Sequence, residues 1–285
     1  MLNLIGTIIY QLFRREAEME EDENTYKELR VAICSERRRA VLLSLIERKK
    51  PLVDLHKELK SSSPALIHAL RELEEHHLVR QDQMKQYELT LIGKSAARKV
   101  IDFQRTMEVL MQHEAFWSGH DLSGIPDHLF DRIASLRDTT LITGTALDVF
   151  KAMRHFVELL QNSGVVKLVS SIYIPNIASI VLEKEAEELP RVELVLTEAV
   201  LRHLIGEAKS ERWKAVRSEH LKLRVLHDDP KLVVVVTDRF MALASYRTDG
   251  AFDHSSTLTS EHPAAIAWGG QLFDYYVSKS ASVVL

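Results

Sequence analysis

The chain has 285 residues, 46% of them apolar and 27% charged, enough to build cores in two domains and unlike a disordered tail. A single cysteine, Cys34, excludes a disulfide framework and a cysteine-based structural zinc site, and no apolar run reaches the roughly 18 residues of a membrane helix. The net charge of −4 is unevenly spread: residues 27–100 carry 16 cationic against 10 anionic side chains, while the segments on either side are acidic. A basic block inside an acidic chain points to a polyanion-binding module joined to a second domain.

Residues 1–26 open with a short apolar stretch, Leu2 to Phe13, followed by the acidic run Glu16–Glu23. No basic segment precedes it and no small-residue cleavage site follows, so it reads as an N-terminal extension, with Met19 as an alternative start, and not as a secretory signal. From Ser35, a natural N-cap, apolar residues recur at helical spacing through Ala40, Leu43 and Ile46. Lys49-Lys50-Pro51 stops that helix. A second short helix carries Leu52, Val53, Leu55 and Leu59. Ser61-Ser62-Ser63-Pro64 then turns the chain into a third helix, with Leu66, Ile67, Leu70 and Leu73 facing inward and Ala65, His68, Arg71, Glu72 and Glu75 outward. His77–Arg80 and Tyr87–Thr90 read as two strands around the polar turn Gln81–Gln86.

Three helices followed by a hairpin with a polar tip form a winged helix-turn-helix, a fold suited to duplex DNA because a helix about 10 Å across fits the major groove. The expected DNA contacts are Ser62, Ser63, Ala65, His68 and Arg71 on the third helix and Lys85 at the wing tip. Ser62 and Ser63 would meet phosphates at the helix start, Arg71 and Lys85 would clamp the backbone, and His68 would read a base or simply be solvated. Arg37-Arg38-Arg39 on the first helix would touch the DNA backbone or, as the preferred reading, be plain solvated charge. The rival reading of the module is a protein-contact adaptor.

A longer helical pattern runs from Leu91 to Glu114, with an apolar stripe that would either seal a dimer seam matching a two-half-site operator or pack against its own domain. Phe116 to Pro126 reads as a loop. Beyond it, β-branched runs alternate with helices: Thr140–Thr143, Val165–Val169, Val192–Leu196, Leu221–Leu226, Leu232–Val236 and Met241–Tyr246, with helices at 146–160, 176–188, after Thr197 and from Pro263 to Tyr276. This is an α/β domain with a mixed sheet, its last two strands forming a hairpin. The expected division is therefore 1–26, an extension; 27–98, the winged helix-turn-helix; 99–126, a connector; and 127–285, an effector domain. Ligands in such sheets collect at strand carboxyl ends, which here offer Thr143, Thr145, Ser170, Ser171 and Thr197, groups suited to a carboxylate or phosphate or to plain helix capping.

Enzyme motifs are missing. The sequence has no glycine-rich phosphate loop, no Gly-x-Ser-x-Gly and no His-Glu-x-x-His. His220-Leu221-Lys222 begins like a phosphodiesterase His-x-Lys motif, but His227 stands at the aspartate position. His113, His120, His254 and His262 lack metal-ligand spacing, so neither a metal nor a cofactor is expected.

Two blocks carry a resemblance. Ser61–Glu74 with Tyr87–Thr90 resembles the winged helix of archaeal ArsR-related repressors. Glu114–Pro126, Asp249–Asp253 and Ala267–Tyr276 are similar to the effector domain of methanogen winged-helix regulators of the filament-regulator type. The resemblance spans Ser35 to Tyr276 and implies a cytoplasmic, dimeric archaeal transcription regulator without catalytic residues. Its partners would be an operator duplex and an unidentified small effector, and its second domain would be distantly like half of a phospholipase D. Pro64-Ala65, where relatives often carry a second hydroxyl residue, sets the recognition helix apart. A phosphodiesterase-like enzyme and a non-DNA adaptor are the alternatives.

Overall fold

The computed structural model describes residues 30–32, 34–145, 148, 151–161, 163–174, 190–207 and 221–283. It divides the chain into two compact units, Met1–Gln104 and Arg105–Leu285.

In the first unit, Ser35 caps helix α1 (Glu36–Ser44), its hydroxyl accepting the Arg38 amide. Strand β1 (Lys50–Pro51), helix α2 (Leu52–Leu59), helix α3 (Ser63–Glu75) and the hairpin β2 (Val79–Gln81) and β3 (Gln86–Leu89) follow. The three strands form an antiparallel sheet in the order β1-β3-β2. The sequence pattern had Lys50-Pro51 only as a helix stop; extended backbone before and at the proline lets it pair with Tyr87 and Gln86 as a third strand. On α3 the buried set is Leu66, Ala69, Leu70 and Leu73, while Ile67 is only half-buried. Leu66, Leu70 and Leu73 pack in one cluster with Val41, Leu42 and Leu55, and with Ala69 buried in place of Ile67 the inward stripe is rotated slightly from the expected one.

One buried cation supports this core. Lys50, 6% exposed, gives its ammonium to Glu58 Oε2 at 2.6 Å and Ser44 Oγ at 3.0 Å, and Ser44 in turn donates to Glu58 Oε1 at 2.8 Å. The bond from Lys50, then that from Ser44, holds the Glu58 carboxyl below its ordinary range.

Helix α4 (Leu91–Gln112) places Ala97 in the first core and Val109 in the second. The second unit continues with α5 (Glu114–Gly119), α6 (Asp127–Phe130), a 3₁₀ turn at Ile133–Leu136, β4 (Thr140–Thr143), α7 (Lys151–Gln161), β5 (Val165–Ser170), β6 (Arg191–Thr197), α8 (Glu198–Glu207), β7 (Leu221–Leu226), β8 (Leu232–Thr237), β9 (Met241–Ser245), β10 (Ser256–Ser260), α9 (Pro263–Ser278) and β11 (Ala281–Val283). The start of the expected 116–126 loop is helical instead, because Phe116 and Trp117 are buried and the Trp117 indole donates to the Val109 carbonyl. The expected helix at 176–188, part of that at 146–160 and the extension at 1–26 lie outside the described residues.

The sheet is eight-stranded, in the order β11-β7-β6-β5-β8-β9-β10-β4. β5, β6 and β7 run parallel and every other pairing is antiparallel, so the sheet is mixed and β8-β9 is a hairpin. Strand β8 is buried at all six positions because both faces are covered. Val234 and Val236 pack with Trp268, Leu272 and Phe273 of α9, while Val233 and Val235 belong to the opposite core with Val200, Leu201 and Leu204 of α8.

The first turn of α4 presses on the wing. A Cβ on Gly93 would lie 1.8 Å from the Leu78 carbonyl oxygen, where only glycine fits. Gly93→Ala is expected to lower stability by about 2–3 kcal/mol, read as a drop in the urea midpoint of the full chain with an unchanged slope.

Candidate nucleic-acid interface and effector pocket

The third helix begins with Ser62 as its N-cap, in extended geometry and with no capping bond from its own side chain, so its hydroxyl is available. Ser62, Ser63, His68 and Arg71 are exposed and Ala65 is half-buried. Of the expected outward set, His68, Arg71 and Glu75 are exposed, while Ala65 and Glu72 are half-buried. His68 is not solely solvated: its Nδ1 sits 3.3 Å from Glu72 Oε2 one turn on.

Behind this face the helix is braced by α1. Arg38 donates to Glu72 Oε2 at 2.7 Å and to the Val31 carbonyl at 2.8 Å. The Arg38 bond first of all, then the nearby His68, holds the Glu72 carboxyl below its usual value. Arg37 Nε donates to Ser61 Oγ at 3.0 Å, at the start of α3. Arg37 also lines two surface grooves, one with Lys60, Ser61 and Ser62 and the other with Pro64, Ala65, His68 and Glu72. The arginine cluster is thus not plain solvated charge. Its position straight after the Ser35 cap was the available signal, since that turn of α1 is the one that packs across the next helix start.

The wing is built on Asp82. Its Oδ1 accepts the amides of Met84 at 2.8 Å and Gln86 at 3.0 Å, and its Oδ2 takes the Lys49 ammonium at 2.7 Å. That Lys49 bond and the backbone bonds keep the carboxyl low, and the same partner raises the Lys49 ammonium. Lys85 adopts the left-handed conformation at φ 57°, which turns the strand, and its side chain is exposed at the tip.

The hydroxyl residues of the second unit come together only in part: Ser170 stands opposite Leu196 on the neighbouring parallel strand, next to Thr197, while Thr143 lies apart. Thr143 ends β4 at the sheet edge, four strand spacings, roughly 19 Å, from Ser170 at the end of β5. Thr145 is spent on a turn, its Oγ1 accepting the Asp148 amide. Ser170 donates to the Ile172 carbonyl at 2.6 Å, and Ser171 donates to the Leu232 carbonyl at 3.3 Å and lies 3.4 Å from the Tyr246 hydroxyl. Thr197 ends β6, directly before α8. Ser170 and Ser171 therefore fix the backbone that leads into Ile172 and Ile174.

Those two isoleucines line the pocket that the sequence pattern missed. With Val233, Val235, Ala242, Ala244, Phe252, Asp253, His254 and Thr257 they enclose about 60 Å³. The signal was the alternation Met241-Ala242-Leu243-Ala244, which puts two methyl-sized side chains on one face. Beside the pocket, His120 forms a buried pair with Asp253 at 3.1 Å, while its Nδ1 lies 2.8 Å from the Phe116 carbonyl and its ring stacks on Phe116. His220 lies outside the described residues, and among those residues no group of histidine, cysteine and carboxylate side chains could hold a metal ion.

Known proteins match both units. The N-terminal domain of the methanogenesis regulatory protein FilR1 matches residues 26–109, and the middle domain of the same protein matches residues 149–279. The chain belongs to the FilR1 family. It is 26% identical over 263 residues to the methanogenesis regulatory protein FilR1 of Methanothrix harundinacea, covering 91% of this chain and 59% of that protein, so this FilR1-family chain spans little more than half of its relative's length. Among solved structures it is similar to TrmBL2, described as an archaeal chromatin protein with a novel mode of DNA binding, at 15% identity over 86% of this chain and 93% of that one, with a TM-score of 0.41. The transcriptional repressor BigR of Xylella fastidiosa overlaps at 23% identity over 30% of this chain and 86% of its own, with a TM-score of 0.26. The phospholipase D family member Nuc of Salmonella typhimurium overlaps at 10% identity over 52% and 99%, with a TM-score of 0.37.

Burial pushes the Asp253 carboxyl up, but bonds from the Ser255 side chain and amide, Ser256 and His120 outweigh it and bring the carboxyl to about 2. A folded-state value below the ordinary 3.8 means stabilisation that is complete above pH 4 and lost as pH falls through 2. The expected contribution is about 2 kcal/mol. Asp253→Asn should flatten the pH 4-to-2 part of the chain's stability curve, measured by denaturant unfolding at stepped pH.

Proposed function

We propose that this FilR1-family chain is a DNA-binding transcription regulator, working in the cytoplasm as a homodimer on an operator duplex, with binding adjusted by a small ligand in the second unit. The observation that carries the reading is the two-sided third helix: Leu66, Ala69, Leu70 and Leu73 are buried while Ser62, Ser63, His68 and Arg71 are exposed on the other side. Helix α3 has the length and outward chemistry to enter a major groove, and Lys85 on the wing and Arg71 bracket it with positive charge. Arg37, tied to Ser61 at the helix start, joins them as a candidate phosphate contact.

The basic balance of residues 27–100 supports attraction to a polyanion over use as a protein adaptor. The dimer reading is supported by Phe103, Met107 and Met111, exposed apolar side chains at four-residue spacing on α4. A Phe103→Asp variant is expected to sediment as a monomer where the parent chain sediments as a dimer. Ligand control would require the two DNA-binding states to differ in affinity for the ligand, since a ligand shifts an equilibrium only by that difference.

The test is fluorescence anisotropy on the DNA upstream of the protein's own gene, titrated with salt. Arg71→Ala and Lys85→Ala are each expected to weaken binding across all sequences and to lower the slope of log affinity against log salt by about 1. Binding without salt dependence, or unchanged in both variants, would overturn the reading.

A further inference from the structure

The second unit holds a pocket whose shape and polar groups select a ligand class. On β9, Ala242 and Ala244 stand beside Val235 and Val233 of β8 in the antiparallel register, on the face turned away from α9. Two methyl groups do not fill the space between those valines, Ile172, Ile174 and Phe252, and about 60 Å³ is left open. A cavity of about 150 Å³ holds benzene, so this one takes an alkyl group of roughly two or three carbons. The lining is apolar except for Asp253, His254 and Thr257.

Which of these three has capacity to spare decides the ligand's head group. Asp253 has none: Oδ1 accepts the Ser255 amide at 2.9 Å and its hydroxyl at 2.6 Å, and Oδ2 faces His120 at 3.1 Å. Ser255 and His120 thus already supply this carboxylate with three hydrogen-bond partners. Among the described residues, neither the Thr257 hydroxyl nor the His254 ring nitrogens have a hydrogen-bond partner; the His254 ring only meets Phe252 edge-on at 4.9 Å. Both can donate; His254 is exposed and Thr257 half-buried. The pocket thus joins an apolar lining to two donors with capacity to spare.

We infer that this pocket binds a short aliphatic carboxylate, with its alkyl group seated against Ala242 and Ala244 and its carboxylate held by Thr257 and His254. The inference gives the ligand part of the proposed function a site and a chemical class, and rests on that reading only for the effect on DNA. Ser170 and Ser171 serve the site indirectly by pinning the backbone that leads into Ile172 and Ile174.

The test uses the full chain and calorimetric titration with acetate, propionate, butyrate and hexanoate, with butanol and butylamine as head-group controls. Saturable binding is expected to peak at propionate or butyrate and to fall for hexanoate. Thr257→Val keeps the shape and removes the hydroxyl; it is expected to weaken binding about tenfold without moving the melting temperature. Ala244→Leu fills the pocket and is expected to abolish binding; should that variant fail to fold, the chain-length series and Thr257→Val decide. No saturable binding by any carboxylate, equal binding of butylamine and butyrate, or full binding by folded Ala244→Leu would each overturn the inference. Anisotropy on upstream DNA in the same samples separates the two claims: loss of DNA binding alone counts against the regulator reading, and carboxylate binding that leaves DNA affinity unchanged counts against ligand control while supporting the pocket.

Discussion

A helix can read a groove only when one side is fixed and the other is left bare. In this chain that division rests on α3, whose inner residues are clamped by Val41, Leu42 and Leu55 and whose flank is tied to α1 through Arg38 and Glu72. The ion pair is half-buried, so its free-energy contribution is modest, of the order of 1 kcal/mol. Its value is geometric: it sets the rotation of α3, and hence which side chains face outward. Arg37 on Ser61 does the same at the helix start. Lys49 on Asp82 does it for the wing, tying the hairpin tip back to the loop after α1.

The second unit follows a different logic. A strand as apolar as β8 must be covered on both faces, and α9 on one side with α8 on the other meets that demand. Cover is incomplete where β9 turns small, at Ala242 and Ala244. A close-packed interior leaves few such voids, and this one sits beside the buried His120–Asp253 pair that ties the residues after α5 to the segment before β10. Movement of the pocket wall would therefore be transmitted to Phe116, on which His120 stacks.

Much of this was legible in the residues. Ser35 as a cap, the Ser61–Pro64 turn and the 3.6-residue period of Leu66, Leu70 and Leu73 fixed the helices, because caps and periodicity act locally. The alternation of β-branched runs with helices predicted the mixed sheet for the same reason. Other features depend on partners distant in sequence. Lys50-Pro51 becomes a strand only because β3 lies alongside, and the short β10 and β11 are strands only because β9, β4 and β7 offer edges. The hydroxyls at the strand ends were visible one by one, but strand order puts Thr143 at the sheet's margin and Ser170 near its centre, and order is not written in any single strand. The pocket escaped notice because it is an absence of side-chain volume.

On the proposed reading, the bare side of α3 and the wing tip are where DNA is held. Amide hydrogen exchange, with and without the duplex upstream of the protein's own gene, tests it directly. The account predicts slowed exchange concentrated at Ser61–Arg71 and Asp82–Gln86. Slowed exchange confined to the eight-stranded sheet, with those two segments unchanged, would contradict it.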